Sequence, residues 1–359
     1  MTSRERVLTA LNHEEPDSVP IHVDFTPEAA EKLSGHLQLD NSTAEAYSGK
    51  ISELPLVMGH DLLVAWHGIA TSYYLHEDKE EYTCEWGIGW RWIDFPGGRY
   101  TEMVRRPLAD EQNLSSYSCP DPTESWRYDS ARELIRTHGE THAIAGGMPC
   151  TLFEAAWYLR GYDRFLMDLM INRDFASELL DKLYDFQLVT GRKLAETGVD
   201  IIWMGDDFGM QNSLIVSPEI WRKFFKPRYA GLIQAFREIK PDVKIAYHSD
   251  GNIESLLPEY IEIGVDVLNA VQPKSMNTAH LKKRFGNKLS FWGTVDIQEV
   301  LPFGTVEDVV DEVKKRIQMA GQGGGLIIGP SHNIQPDVPL DNILAFYRAV
   351  EMYGKYPVV

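Results

Sequence analysis

His248 and Asp250 stand two residues apart in Ala246–Asn252, AYHSDGN, and His332 stands in IIGPSHNIQPDVP near the C-terminus. Two imidazoles and a carboxylate are a donor set that zinc accepts. The ion takes histidine nitrogen and carboxylate oxygen, and when catalytic it keeps one position open. From that position it could polarise a substrate oxygen or sulfur as a Lewis acid. Glycine lies beside these residues: Gly251 follows Asp250, and Gly209 closes Asp206-Asp207-Phe208-Gly209. Glycine lets a ligand approach the backbone, and it serves ordinary strand-to-helix turns equally well.

Residues so far apart in the chain need a scaffold to bring them together. Eight apolar runs of strand length recur: Val19–Phe25, Asp61–Trp66, His142–Met148, Asp200–Asp207, Val243–Asp250, Val265–Gln272, Leu289–Asp296 and Gly325–His332. Most are followed by a helical pattern. Near-continuous apolar strands separated by helices indicate a parallel sheet covered on both faces. Eight such units predict an α/β fold of the (β/α)8 TIM barrel type, a single domain over residues 1–359. Helix punctuation agrees. Ser217-Pro218-Glu219 reads as a cap, a first-turn proline and an acid, and Thr305 precedes Glu307 and Asp308. Gly198 and Gly264 follow helical runs. Gly323-Gly324-Gly325 leads into a strand, whereas a phosphate-cradling loop would need a helix at once.

The alternation breaks over residues 67–106. TSYYLH, EYTCEWGIGWRWIDF and RYTEMVRR read as short antiparallel strands joined by turns such as Pro96-Gly97-Gly98. This is an insertion over the barrel mouth, between the second and third barrel strands. Trp86, Trp90 and Trp92 alternate along one strand and share a face. They pack onto the barrel or form a lid or partner surface.

In such barrels the chemistry sits at the C-terminal ends of the strands. Those ends carry Asp24, His67, Asp206, Asp207, His248, Asp250, Gln272, Asp296 and His332. His248, Asp250 and His332 make the candidate metal set, with Glu154 as a further ligand candidate. Asp296 suits a turn or cap as well as a direct role.

Composition narrows the partners. With 35 basic and 53 acidic residues the net charge is -18. That disfavours nucleic acid and adsorption to anionic membranes. Cys84, Cys119 and Cys150 are widely spaced with no CxxC pair, so neither a disulfide framework nor a thiolate zinc knuckle is indicated. A reducing cytoplasm fits this usage. No signal peptide or membrane span is read in the sequence.

With these residues in view, the chain resembles the uroporphyrinogen decarboxylase superfamily. The likeness rests on SRERVLTALNHEEPDSVPI, GVDIIWMGDDFGMQNSLIVSPEIWRKFFKPR, YHSDGNIESLLPEYIEIGVDVLNAVQP, FWGTVDIQEVLPFGT and GPSHNIQPDVPLDNI. The fold it implies is again a (β/α)8 barrel. One branch decarboxylates the acetate arms of a porphyrinogen without a cofactor. The other moves methyl groups between a small donor or thiol and a cobalt corrinoid, often on a partner protein, and carries a zinc site of the form His-x-Cys with a later Cys. Here His248 matches the histidine, Asp250 stands at the first Cys, and His332 falls at about the second. A harder N/O site suits an oxygen donor such as a methyl ether.

The resemblance therefore implies a methyltransferase of an O-demethylation system, working with zinc, a corrinoid protein and a small methylated substrate. His248, His332 and Asp207 take the catalytic roles. Asp24, Asp206, Gln272 and Asp296 bind substrate. The superfamily often dimerises, so a homodimer is also implied. Decarboxylation is the alternative. Its arginine-rich motif is missing after the first strand, where Asp24–Glu31 reads DFTPEAAE, and an acidic chain repels a substrate with eight carboxylates. Asp61, after Gly59-His60, could match the substrate-binding aspartate of that branch. A non-catalytic protein binding a tetrapyrrole or metabolite is the third reading.

Overall fold

Seven of the eight apolar runs form strands of one parallel sheet in the computed structural model, which describes residues 1–39, 53–73, 75, 76, 78–95 and 98–358. In chain order the strands of the protein are β1 (Leu62–Trp66), β2 (Glu81–Thr83), β3 (Gly89–Phe95), β4 (Gly98–Arg105) and β5 (Ala143–Pro149). β6 (Ile201–Gly205), β7 (Lys244–His248), β8 (Val267–Asn269), β9 (Ser290–Trp292) and β10 (Leu326–Ile327) follow. The parallel sheet runs β1-β5-β6-β7-β8-β9-β10, with helices between its strands, and it curls into a TIM-barrel-like form.

The first expected strand, Val19–Phe25, is the exception. It makes only isolated bridges, Ile21 with Ile328 and Phe25 with Ile334. Pro20 has no N–H to give a ladder, which breaks the run. The segment still bonds towards both sheet edges. His22 N–H donates to the Ile328 carbonyl at 3.1 Å, and Asp61 N–H to the Ile21 carbonyl at 2.9 Å.

Side-chain alternation sorts two cores. Leu62, Ala143, Ala145, Ile201, Trp203, Ala246, Val267, Trp292 and Ile327 form one cluster with Val7 and Leu11 of the helix Ser3–Leu11, and Val64 and Trp66 pack against it. The intervening residues, such as Leu63, Ile144, Ile202, Tyr247, Leu268 and Phe291, join the larger core beneath the helices. A period of two on a sheet with both faces covered produces this division. The inner cluster holds three indoles, and its neighbours are small to make room. A Cβ on Gly147 would lie 2.4 Å from the Trp66 ring. Gly147→Ala is therefore expected to cost about 1–3 kcal/mol by overpacking. Equilibrium denaturation checks this, and an unchanged midpoint would contradict it.

Helix ends follow the sequence signals. Ser217 accepts the Ile220 N–H ahead of the helix Pro218–Phe224, and Thr305 and Asp308 form a capping box before Val306–Ala320. The antiparallel strands β2, β3 and β4 form a separate three-stranded sheet, which falls in sequence between β1 and β5. The strand expected over residues 71–76 is not found among the described residues of that stretch, and Ile69–Ser72 is a 3-10 helix. Of the expected β3–β4 turn, Pro96 and Gly97 lie outside the described residues. Trp90 and Trp92 are buried on β3, but Trp86 lies in the preceding turn. It packs on Phe186 of the helix Arg173–Thr197 with ring centroids 4.6 Å apart. Among the described residues no helix is long and apolar enough to cross a membrane.

Candidate functional site

His248 is the last residue of β7, and its ring points to the inner side like Ala246 two residues before it. A hydrogen-bond chain fixes that ring. Trp203 Nε1–H donates to Asn269 Oδ1 at 2.9 Å, and Asn269 Nδ2 donates to the Trp292 carbonyl at 3.0 Å. The amide is thereby oriented with its oxygen towards His248, whose Nδ1 lies 2.8 Å away. Nδ1 must carry the proton, which leaves the Nε2 lone pair free.

Nε2 faces two carboxylates. It lies 3.7 Å from Asp207 Oδ1 and 3.8 Å from Asp250 Oδ1. His332 Nε2 lies 3.9 Å from Asp250 Oδ2. Ligand atoms of His248, Asp250 and His332 all fall within 4.8 Å of one another. Asp250 Oδ1 is buried and accepts no hydrogen bond among the described residues. A buried carboxylate oxygen without a partner is costly. The orphaned oxygen and the N/O donor set both fit a zinc ion held by these three residues.

Backbone contacts place the carboxylates. Asp207 Oδ1 accepts the Asp250 N–H at 2.8 Å, and Gln272 Oε1 accepts the Gly251 N–H at 2.8 Å. The loops after β6 and β7 touch closely: a Cβ on Gly209 would lie 2.4 Å from the Asp250 carbonyl oxygen. Gly205 faces His248 across β6 and β7, where a Cβ would meet the His248 Cβ at 2.7 Å. Gly205→Ala is expected to displace the imidazole and weaken zinc retention about tenfold, with the fold kept. Competition with a chromophoric chelator measures this, and unaltered retention would contradict it.

His248, His332, Asp207 and Gly205 border a cavity of about 410 Å³. Its wall includes His22, Asp24, Trp66, Cys150, Glu154, Trp203, Asp207, His248, Asn269, Trp292 and His332. The insertion contributes Trp90, Tyr100, Thr101 and Met103. No lysine or arginine occurs among the described lining residues. Burial lifts Asp24 to about 6, against the pull of His332 and His248. Burial, reinforced by Asp207 and Asp206, pushes Glu154 well above the usual carboxylate range. His22 is driven down to about 3 by burial and stands neutral.

The sequence candidates divide in space. His248, Asp250, His332, Asp207 and Asp24 come together, and Glu154 lines the same cavity outside the group of three ligands. Asp206, Gln272 and Asp296, expected to bind substrate, do not line it. Asp206 is fully buried, accepts the N–H groups of Leu152 and Glu154 at 2.8 Å each, and is bonded by the Tyr229 hydroxyl. Asp296 caps the turn at Gln298, and Gln272 braces Gly251. All three act as braces for the loops that carry the site. His67 is buried against Tyr128, away from the cavity wall. Asp61 is buried in an ion pair with Arg6 and accepts the Ile21 N–H, also outside the cavity wall. Sequence reasoning missed His22, Asn269, Tyr73, Tyr158 and the three inner tryptophans.

Comparisons with known proteins agree with this architecture. Residues 90–353 match the family described as Uroporphyrinogen decarboxylase (URO-D). A methylcobamide:CoM methyltransferase of Methanosarcina barkeri is 24% identical over 359 residues, covering 98% of each chain. A uroporphyrinogen decarboxylase of Legionella pneumophila is 25% identical over 274 residues, 74% of this chain and 73% of the relative. The solved structure of a methyltransferase from Methanosarcina mazei covers 98% of this chain and 99% of its own, with a TM-score of 0.72 at 18% identity. That last likeness concerns the fold.

Proposed function

The chain belongs to the uroporphyrinogen decarboxylase family, and we propose that it is a methyltransferase within it. It moves a methyl group from a small, oxygen-linked donor to the cobalt of a corrinoid on a partner protein. The observation that carries this reading is the cavity wall. It sets imidazoles beside carboxylates and, among its described residues, holds no lysine or arginine. A porphyrinogen with eight carboxylates would find no lysine or arginine there, which disfavours decarboxylation. Methyltransferase relatives that match along nearly the whole chain support the same choice.

The reaction balances simply. The methyl–oxygen bond breaks with its electron pair on oxygen. Cobalt(I) supplies the pair for the new bond, and one proton converts the leaving alkoxide or phenolate to the alcohol. The residues present can serve each need. The Trp66, Trp203 and Trp292 floor excludes water and holds the donor in line. Asn269 keeps His248 Nε2 directed into the site. Glu154, protonated by its surroundings, offers the proton to the leaving oxygen. A zinc ion held by His248, Asp250 and His332 would supply Lewis-acid stabilisation of charge on that oxygen. Its N/O ligands suit an oxygen leaving group better than a thiol.

Mixing the pure protein with reduced cobalamin and a panel of methyl ethers, amines and thiols tests this reading. Methylcobalamin should appear with ethers. Absence of product with every donor, or carbon dioxide release from a porphyrinogen, would overturn it.

A further inference from the structure

We propose that the same cavity takes and demethylates a second class of donor, methylated onium cations of the quaternary ammonium type. Two features of the wall carry this. The first is its aromatic content: Trp66, Trp90, Trp203, Trp292, Tyr73 and Tyr158 all line it. Trp66 and Trp203 meet edge to face at 5.2 Å, and Tyr73 meets Trp90 at 5.4 Å. Aromatic faces are electron-rich and attract a desolvated cation, and such cages are the recurrent means of holding quaternary ammonium groups.

The second feature is charge. Asp24, Glu154 and Asp207 line the cavity besides His248 and His332, with no lysine or arginine among the described lining residues. A divalent ion bound by two neutral imidazoles and Asp250 keeps one positive charge, which offsets one of Asp24 and Asp207; with Glu154 protonated, one carboxylate remains without a cation in the wall. An onium ion supplies that charge and needs no hydrogen bond. An anionic donor finds no lysine or arginine among the described lining residues, and the acids and ring faces repel it.

The transfer needs no proton. The carbon–nitrogen bond breaks with its pair on nitrogen, giving a neutral tertiary amine. The methyl group takes the electron pair of the cobalt(I) corrinoid, which becomes methylcobalt(III). The acceptor rests on the function proposed above, whereas binding does not, so the test separates the two.

Choline and its uncharged carbon isostere, 3,3-dimethylbutan-1-ol, are titrated into the intact protein and followed by tryptophan fluorescence and calorimetry. Choline should bind about tenfold or more tightly. Trp90→Leu should reduce that preference, and Trp90→Phe, which keeps a ring, should retain most of it. Equal binding of the two probes by the unaltered protein would overturn the site. With reduced cobalamin, choline should yield methylcobalamin and dimethylethanolamine. Turnover of methyl ethers without choline binding would refute this inference and leave the proposed function standing. Selective choline binding with no methyl transfer from any donor would overturn the onium activity and the methyltransferase reading together, and leave a cation-binding site.

Discussion

Replacing His248 by alanine is expected to lower methyl transfer by about a hundredfold or more while the protein stays folded. Loss of an outer-shell partner of a metal ligand already costs about 10–100-fold, and His248 is placed as a ligand itself. The fold should survive because little is orphaned. Asn269 Oδ1 keeps its bond from Trp203 Nε1, and Asn269 Nδ2 keeps the Trp292 carbonyl. The ring packs on Trp203 at 5.0 Å and on His332 at 6.1 Å, and both of these line the cavity, so alanine enlarges an existing space. Rates with reduced cobalamin, paired with a thermal melt, check both parts. Retained activity would show that the centre is wrongly assigned.

Replacing Asp206 by alanine is expected to destabilise the fold by about 3 kcal/mol or more. The carboxylate accepts the N–H groups of Leu152 and Glu154 and the hydroxyl of Tyr229, and both Asp206 and Tyr229 are fully buried. Alanine leaves the two N–H groups without a partner and takes from the Tyr229 hydroxyl its acceptor, leaving it only the Tyr247 hydroxyl at 3.0 Å, and each buried unsatisfied group costs about 1–3 kcal/mol. The same change frees the turn that presents Glu154 to the cavity, so activity should fall beyond the stability loss. Denaturant unfolding gives the first quantity. A loss below about 1 kcal/mol would mean that water or another acceptor replaces the carboxylate.

Asp206 and Asp207 show what was legible in the sequence and what was not. Strand runs separated by helices disclosed the parallel sheet, because apolar strands buried on both faces leave a continuous signature. The same continuity hides which face each residue takes. In β6 the inner residues are Ile201 and Trp203, so Asp207 continues that parity and Asp206 does not. His248 and Asp250 continue the parity of Ala246, whereas Gln272 departs from that of Val267 and Asn269. Counting in twos from the inner alanines and tryptophans would have separated Asp207, His248 and Asp250 from Asp206 and Gln272, but not Asp296, which keeps the parity of Trp292 and yet lies outside the cavity wall.

Other parts were not readable for physical reasons. Pro20 turned an apolar run into isolated bridges, although its apolar pattern matched a strand. Asn269 fixes the tautomer of His248 through three hydrogen bonds that join β6, β7, β8 and β9, and no local pattern announces such a contact. Tyr73 and Tyr158 reach the cavity from the 70s loop and the helix Phe153–Arg160, whose placement depends on tertiary packing. His332 lies past the end of β10, where strand parity no longer applies, and it was named as a candidate from its position after the last apolar run.

X-ray absorption at the zinc edge of the protein, purified and replenished with one equivalent of zinc, is the most direct test of a centre built from two imidazoles and a carboxylate. The spectrum should show only nitrogen and oxygen neighbours at about 2.0–2.2 Å, with the multiple scattering of two imidazoles. Asp250→Ala should remove the ion. A sulfur shell at about 2.3 Å, or a protein that retains no zinc, would contradict the account.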